Sequence, residues 1–219
     1  AIMYAKADKA PIMYCLGVTE HSTGTEGVMS MSNIAMLVGK LGREGCGVNP
    51  IRGQNNVQGA CDMGAMPTDF PGYQKVDNPE VLAKFENAWG IKLNPKPGIK
   101  ATEVFPAAIK GDIKGLYIFG EDPVVTDADT NHIIKALESL DFLVMNELFM
   151  TETAQYADVI LPGVSYAEKE GTFSNTERRV QRVRKAVELE GEMRLDTDIF
   201  IDLLNRMGYP QPHLTSAEI

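Results

Sequence analysis

Apolar runs alternate with helical patterns along the first part of the chain. Residues 12–16 form an apolar run that stops at Gly17, which predicts a buried strand. Residues 25–41 repeat apolar side chains at helical spacing and predict a helix with one apolar face. Residues 42–75 are rich in glycine, and this composition predicts mainly loops.

The second part of the chain shows a strand–helix–strand pattern. Three apolar runs predict strands, at residues 116–119, 142–145 and 159–161. Helices are predicted over residues 79–89, near 104–110, and from a cap at 129 or 130 to residue 140. Residues 151–156 predict one or two helical turns. A last helix is predicted from a cap at Asp196 or Thr197 to residue 207. The alternation of strands and helices predicts an α/β fold with a doubly wound, mostly parallel sheet.

Residues 165–190 depart from this pattern. Turn-forming residues after Gly171 are followed by alternating charged and apolar positions. Such alternation is typical of an exposed β-hairpin. We therefore expect an excursion hairpin that leaves the main sheet.

Composition narrows the class of protein. The chain has 219 residues, 44% of them hydrophobic, which is enough for one substantial core or two small ones. No apolar run is long enough to predict a membrane span. The net charge of −9 argues against a nucleic-acid partner. The three cysteines lack C-x-x-C spacing and the three histidines are scattered, so we predict no metal ligand in this chain.

Small and polar residues follow the predicted strands. In an open parallel sheet, ligands bind beyond the carboxyl ends of the strands. The residues at these ends are Gly17, Gly120, Asp122, Asn146 and Gly163, and we expect them to share one edge. That edge favours a nucleotide crevice. Neither a G-x-G-x-x-G after a strand nor a P-loop occurs.

Two acids are candidates for nucleotide recognition, Asp122 and Asp198. A carboxylate accepts hydrogen bonds from ribose hydroxyls, or from the adjacent N–H groups of guanine in bidentate fashion. The alternative is structural: Asp122 as a turn residue before a proline, and Asp198 as an acid in the first turn of a helix.

The densest polar segment covers residues 47–59 and contains one arginine, Arg52, among glycines and side-chain amides. A guanidinium offers a planar, bidentate fork to a carboxylate or phosphate. The segment therefore fits a small polar ligand with one anionic group. The alternative is a solvated loop whose Asn and Gln side chains cap its own turns.

Residues 48–64 (VNPIRGQNNVQGACDMG) resemble the hallmark segment of formate dehydrogenase catalytic subunits, which are molybdopterin guanine dinucleotide-dependent oxidoreductases. Residues 16–19, 117–123, 157–162 and 168–181 are similar to further segments of this family, in the family's order. The resemblance covers essentially the whole chain.

The resemblance implies an internal fragment with the central domains of the formate dehydrogenase/DMSO reductase-like fold. Residues 1–54 would be a partial α/β cofactor-binding segment with the active-site loop. Residues 55–219 would be the Rossmann-like domain that binds molybdopterin guanine dinucleotide. Within it, the hairpin at 165–190 would point toward a missing iron–sulfur domain.

The activity implied by the resemblance is oxidation of formate to carbon dioxide at a molybdenum or tungsten centre. Arg52 would hold the formate carboxylate, and Gln54 would contact the pterin. A 4Fe-4S cluster would be bound by the missing N-terminal domain, and electrons would leave through an electron-transfer subunit. The missing N- and C-terminal domains would complete the enzyme, so we expect the fragment alone to be inactive.

The resemblance also implies contacts to the guanine dinucleotide, at Gly17, Glu20, Asp122, Thr126, Asn146, Gly163 and Asp198, with Gly120 beside them as a strand-end residue. Glu20 stands where many relatives have Gln, so an anionic oxygen replaces a donor amide. Gly163 stands where some relatives have Ser, so only its main chain serves.

Two other functions are compatible with the sequence. One is a non-catalytic nucleotide-binding module. The other is a superfamily relative with a different substrate, such as a nitrate reductase-like protein or a respiratory-complex subunit. We expect a cytoplasmic protein, and a possible homodimer of the fragment if exposed inter-domain faces associate.

Overall fold

The computed structural model describes all residues from 1 to 219, in two compact units. The first consists of Ala1–Met66, Phe70–Gln74 and Phe173–Gln181. The second consists of Pro67–Asp69, Lys75–Thr172 and Arg182–Ile219. None of the helices combines the length and the apolar content that a bilayer crossing requires.

The first unit contains a small parallel sheet with helices around it. Its elements are helix α1 (Ile2–Lys6), strand β1 (Pro11–Tyr14), helices α2 (Leu16–Thr19) and α3 (Gly24–Leu37), strand β2 (Gly47–Pro50) and helix α4 (Val57–Asp62). Strands β1 and β2 pair in parallel, with Ile12 opposite Val48. Helix α3 packs against α2 and β2.

Several expectations for this unit were wrong in detail. Strand β1 exists, but its residues alternate between exposed and half-buried, because its sheet has only two strands. Helix α3 ends at Leu37, not at 41, and Leu37 is 85% exposed although it is an apolar residue within the predicted helix. The segment predicted as mainly loops contains β2, α4 and two short strands, β3 (Asp69–Phe70) and β4 (Gln74–Lys75).

The second unit follows the predicted strand–helix order closely. Its elements are helices α5 (Pro79–Trp89) and α6 (Ala101–Lys110), strand β5 (Gly115–Phe119), helices α7 (Pro123–Thr126) and α8 (Thr130–Glu138), strand β6 (Phe142–Glu147), a 3₁₀ turn (Thr153–Tyr156), strand β7 (Val159–Pro162) and helix α9 (Asp196–Arg206). Asp129 caps α8 by accepting a hydrogen bond from the backbone of His132, 3.1 Å. Asp196 does not cap α9 as expected, because it is the first helical residue.

Strands β5, β6 and β7 form a parallel three-stranded sheet in this order. Leu143 and Met145 of β6 are buried completely, and each such side chain contributes about 1.5–3 kcal/mol to stability. Helix α9 packs through Phe200 against Tyr117 and Phe119 of β5, with ring centroids 5.8 and 5.4 Å apart. The predicted α/β class with parallel strands is confirmed. The doubly wound arrangement stays a prediction.

The expectation of one common sheet edge was wrong for Gly17. Strand β1 pairs with β2 in a sheet of its own, and Gly17 lies inside helix α2. The reason is that strand pairing depends on the partner available in space, which an apolar run of four or five residues does not specify.

A hairpin within residues 165–190 is confirmed, over the shorter range 171–183, and its direction toward another domain stays a prediction. Strands β8 (Gly171–Ser174) and β9 (Val180–Val183) form a separate two-stranded sheet. In the turn between them the backbone nitrogen of Arg178 donates to the carbonyl of Asn175, 2.9 Å, and Arg178 has a left-handed φ of 62°.

Candidate functional site

A cavity of about 150 Å³ lies at the carboxyl ends of β5, β6 and β7. The residues that line it include Gly120, Asn146, Glu147, Gly163, Lys169 and Asp196. Parallel strands end together at one edge, which is why residues distant in sequence meet there. Three predicted site residues, Gly120, Asn146 and Gly163, are thus brought together.

Asn146 is the most deeply buried polar side chain at this cavity. It is 2% exposed, and its Nδ2 donates to the carbonyl of Leu161, 3.2 Å, on the neighbouring strand. The hydroxyl of Tyr117 donates to Asn146 Oδ1 over a longer distance of 3.4 Å. Burial is the main cause of the raised pKa of Tyr117, and the nearby carboxylate of Asp196 is the second. The hydroxyl of Tyr117 therefore keeps its proton and donates a hydrogen bond.

Two glycines, which have no side chains, expose the main chain at the cavity. Gly120 follows β5 with φ of 61°, a left-handed conformation that favours glycine. Gly163 follows β7 and is buried, and a Cβ there would lie 2.6 Å from Asn146 Nδ2 and 2.9 Å from Asp196 Oδ1. A serine at this position would therefore require both neighbours to move.

The charged pair at the cavity was not predicted. Asp196 is 8% exposed, and its carboxylate forms an ion pair and hydrogen bond with Lys169 Nζ. A buried charge requires such a partner. The sequence predicts only a possible helix cap at Asp196. Its sequence context resembles that of any acid at a helix start, and Lys169 lies in an ordinary charged run, so local sequence contains no signal for either.

Asp122 and Thr126 lie just beyond β5 but do not line the cavity. Asp122 Oδ1 accepts from the backbone nitrogen and the hydroxyl of Thr153, 2.9 and 2.5 Å, so the carboxylate fixes the 3₁₀ turn. Its Oδ2 has no hydrogen bond within the chain. Thr126 Oγ1 donates to Glu121 Oε1, 2.7 Å.

Asp198 lies on α9 outside the cavity lining. Its carboxylate is hydrogen-bonded to His213 Nδ1, 3.0 Å, while Nε2 of the same ring contacts Asp202 Oδ1, 3.1 Å. The hydrogen bond with Asp198, together with the charges of Asp202 and Asp198, raises the pKa of His213. Asp202 also pairs with Arg194, 2.6 Å, and this hydrogen bond lowers the pKa of Asp202.

Arg52 lies in the loop between β2 and α4 of the first unit, and its side chain is exposed. Its Nη2 donates a long hydrogen bond to Cys61 Sγ, 3.7 Å. It forms no ion pair with a carboxylate of this chain, and its contact with Cys61 occupies one of its five N–H donors.

The loop around Arg52 is anchored at both ends. The backbone nitrogen of Ile51 donates to Tyr14 O, 2.8 Å, and continues the pairing of β1 with β2. Asn56 has a left-handed φ of 61°, and its Oδ1 accepts from the backbone nitrogen of Ser174, 2.9 Å. Gln54 is exposed, and its carbonyl accepts from Val57 at the start of α4, 3.4 Å.

Gly17 and Glu20 lie at helix α2. The carbonyl of Gly17 is hydrogen-bonded to His21 Nε2, 2.9 Å, and Glu20 is exposed just after the helix. The predicted site residues therefore fall into two groups. Gly17, Glu20, Arg52 and Gln54 belong to the first unit, and the other six to the second.

The structure contains no group of three His, Cys, Asp or Glu residues that could hold a metal ion. Cys15, Cys46 and Cys61 are free thiols, each half-buried.

Comparisons with known proteins agree with the resemblance found in the sequence. The F420-dependent formate dehydrogenase subunit alpha of Methanocaldococcus jannaschii is 53% identical over 95% of this chain and 31% of its own length. F420-dependent formate dehydrogenase 2 subunit alpha of Methanococcus maripaludis is 55% identical over 95% of this chain and 30% of its own length. Formate dehydrogenase H of Escherichia coli is 46% identical over 100% of this chain and 31% of its own length.

This chain therefore spans about a third of the curated relatives that it matches. Among solved structures, acetylene hydratase from Pelobacter acetylenicus aligns with a TM-score of 0.46 at 27% identity, over 49% of this chain and 16% of that chain. Residues 2–206 match the family of molybdopterin oxidoreductases. The chain belongs to the molybdopterin oxidoreductase family.

Proposed function

We propose that this chain is a central part of a formate dehydrogenase catalytic subunit, which oxidises formate to carbon dioxide. The exposed guanidinium of Arg52, with no carboxylate partner, is the observation that carries the proposal. The names of the relatives and their 46–55% identity support it.

Arg52 suits a one-carbon carboxylate for a physical reason. A guanidinium presents two parallel N–H donors to the two oxygens of a carboxylate, and this bidentate pair orients as well as binds. The neighbouring side chains of residues 54–56 are neutral amides, so no other charge competes for the anion. In this proposal Arg52 holds formate while its C–H bond is broken.

The reaction balances as formate giving carbon dioxide, one proton and two electrons. When bound, the molybdenum or tungsten centre of the family's molybdopterin cofactor supplies the acceptor for the two electrons. This chain contributes Arg52, which binds the formate carboxylate, and part of the cofactor's binding site.

The cavity of the second unit fits part of a nucleotide tail. Glycines at 120 and 163 let a ligand approach the main chain, Asn146 offers a side-chain amide, and the pair of Lys169 with Asp196 combines a cation for phosphate with a carboxylate for N–H donors. A cavity of about 150 Å³ is smaller than a typical ligand site of about 300–1,000 Å³, so it accommodates one portion of the dinucleotide.

We propose the other predicted contacts on the same basis. The unpaired Oδ2 of Asp122 is available to a ribose hydroxyl, and Gln54 is exposed in the loop of Arg52. Asp198 stays a prediction, since a ligand there would compete with His213. The division at residues 54 and 55, the Rossmann-like arrangement, the 4Fe-4S cluster, the electron-transfer subunit and the cytoplasmic location also stay predictions.

The proposal is tested in the full-length subunit, purified with its cofactor, by formate oxidation with an artificial electron acceptor. Loss of a hydrogen bond to a charged group predicts that Arg52→Ala lowers kcat/KM for formate by ~10- to 150-fold. Arg52→Lys should recover part of this loss, because it retains the charge without the bidentate fork.

The matched control is Arg206→Lys, which changes an exposed arginine at the end of α9 and should leave turnover unchanged. A wild-type enzyme that reduces nitrate but does not oxidise formate would instead support the superfamily relative with another substrate. Equal kcat/KM in wild type and Arg52→Ala would remove Arg52 from the substrate site.

A further inference from the structure

The guanidinium of Arg52 is held by a sulfur atom and not by an acid. Its Nη2 lies 3.7 Å from Cys61 Sγ, within reach of a weak hydrogen bond to a thiol. Arg52 is exposed, whereas Cys61 is half-buried in the last turn of α4. A flexible, charged side chain is thus in contact with a short side chain on a helix.

Helix α4 gives Cys61 a fixed position. The neighbouring Asp62 accepts hydrogen bonds through Oδ1 from Gln58 Nε2, 2.8 Å, and from the hydroxyl of Tyr73, 2.9 Å. The backbone nitrogen of Gly72 donates to Asp62 O, 2.8 Å. These contacts tie the end of α4 to the segment that follows it, so the backbone that carries Cys61 has a fixed position.

The same contacts keep a carboxylate away from Arg52. Asp62 is adjacent to Cys61 in sequence, but its carboxylate binds Gln58 and Tyr73. The hydrogen bond between Tyr73 and Asp62 is the leading cause of the raised pKa of Tyr73. The partner left to the guanidinium is a single sulfur atom, which limits its rotamers through one weak hydrogen bond and leaves its other N–H donors free of a carboxylate.

We infer that Cys61 is a positioning residue: its thiol holds the Arg52 guanidinium in place for the carboxylate substrate. This inference rests on the proposed function of Arg52. The thiol does not touch the substrate and takes no part in the redox chemistry. Sulfur at this position restricts Arg52 through one weak hydrogen bond, whereas a carboxylate there would form an ion pair with Arg52 and compete with the substrate.

The test uses the full-length subunit with its cofactor and three substitutions at one position. Cys61→Ala removes the acceptor and should raise KM for formate by ~2- to 12-fold, with kcat within twofold of wild type. Cys61→Ser retains an acceptor of similar size and should stay within twofold of wild type in both constants. Cys61→Asp offers Arg52 an ion pair and should raise KM more than Cys61→Ala does.

A second measurement does not depend on turnover. With the electron acceptor omitted, formate should slow the alkylation of Cys61 by iodoacetamide, followed by mass spectrometry, because an occupied Arg52 covers the thiol. Formate should give no protection in Arg52→Ala. Cys46 is a matched control, since its Sγ contacts the carbonyl of Asp8, 3.8 Å, and its alkylation should not respond to formate.

The outcomes separate the two proposals. A wild-type enzyme without formate oxidation overturns the proposed function. A wild-type enzyme that oxidises formate, with unchanged KM in Cys61→Ala or with Cys61→Ser as impaired as Cys61→Ala, overturns the positioning role alone. If Cys61→Ala fails to fold, two results still test the positioning role. These are the comparison of KM between Cys61→Ser and Cys61→Asp, and the effect of formate on the alkylation of Cys61.

Discussion

A Cβ atom on Gly163 would lie 2.6 Å from Nδ2 of Asn146, at the end of the neighbouring strand. Asn146 is 2% exposed and its Nδ2 is bonded to the carbonyl of Leu161, so it has little room to retreat. Asp196 Oδ1, 2.9 Å from the same Cβ position, blocks a second direction. The cavity therefore depends on glycine at this position.

Gly163→Ala should lower the free energy of unfolding by about 1–3 kcal/mol, the usual cost of an extra methyl group in a packed site. The same change should lower the amount of guanine nucleotide released from the full-length protein on acid treatment. Chemical denaturation and chromatography measure the two effects. Gly171→Ala is the control, because a Cβ there meets nothing within 4 Å. Equal losses in both variants would contradict the tight contact.

Thr153 holds the segment after β5 through three hydrogen bonds. It is fully buried, donates twice to Asp122 Oδ1, and accepts through Oγ1 from the backbone nitrogen of Val124, 3.1 Å. Thr153→Val should cost about 1–3 kcal/mol, because it leaves a buried N–H without an acceptor. Thr151→Val should cost less, since Thr151 Oγ1 accepts only one long bond, 3.4 Å, from Ala154.

His213 links stability to pH near neutrality. Its pKa is raised above the ordinary value of 6.5, chiefly by the hydrogen bond with Asp198, so the folded state binds this proton more tightly than the unfolded state. The contribution is complete below 6.5 and is lost as the pH rises through the raised pKa. The free energy of unfolding should therefore fall as the pH rises above 6.5, through the raised pKa of His213.

His213→Gln should flatten that decline, which denaturation curves across this range would measure. The control is His132→Gln, whose ring forms no hydrogen bond in the structure and whose profile should follow wild type. The pKa of Asp202 is lowered, chiefly by its hydrogen bond with Arg194, so this carboxylate has the opposite pH dependence. Its contribution to the free energy of unfolding is lost as the pH falls through the lowered pKa of Asp202. If the free energy of unfolding of His213→Gln falls with pH as steeply as that of wild type, His213 is not the cause of the decline.

Asn56 combines a left-handed backbone with a side-chain hydrogen bond to Ser174. Asn56→Gly keeps the backbone conformation and loses the bond, whereas Asn56→Ala loses the bond and adds about 1–2 kcal/mol of steric strain. Asn56→Ala should consequently be the less stable variant by about that amount in thermal or chemical denaturation. Equal stability of the two variants would show that the left-handed conformation is not retained.

The candidate residues follow from local sequence. Arg52 stays a prediction from its residue type and its amide-rich segment, whereas the structure brings Gly120, Asn146 and Gly163, predicted after β5, β6 and β7, to one cavity. Gly17 was grouped with them wrongly, because the sequence does not state which strand pairs with β1. The partners of Asp122 and Asp198, Thr153 and His213, were not anticipated, since neither lies close to its acid in sequence.

By itself the sequence determined the order of strands and helices in the second unit, the hairpin within residues 165–190 and the family resemblance, and it singled out Arg52 as the one arginine of an amide-rich segment. These features depend on periodicity, turn residues and motifs, which act over a few neighbouring residues. Tertiary structure alone decided the split into two parallel sheets and the ion pair of Lys169 with Asp196, separated by 27 residues. Burial and charge pairing depend on groups that only the folded chain brings together.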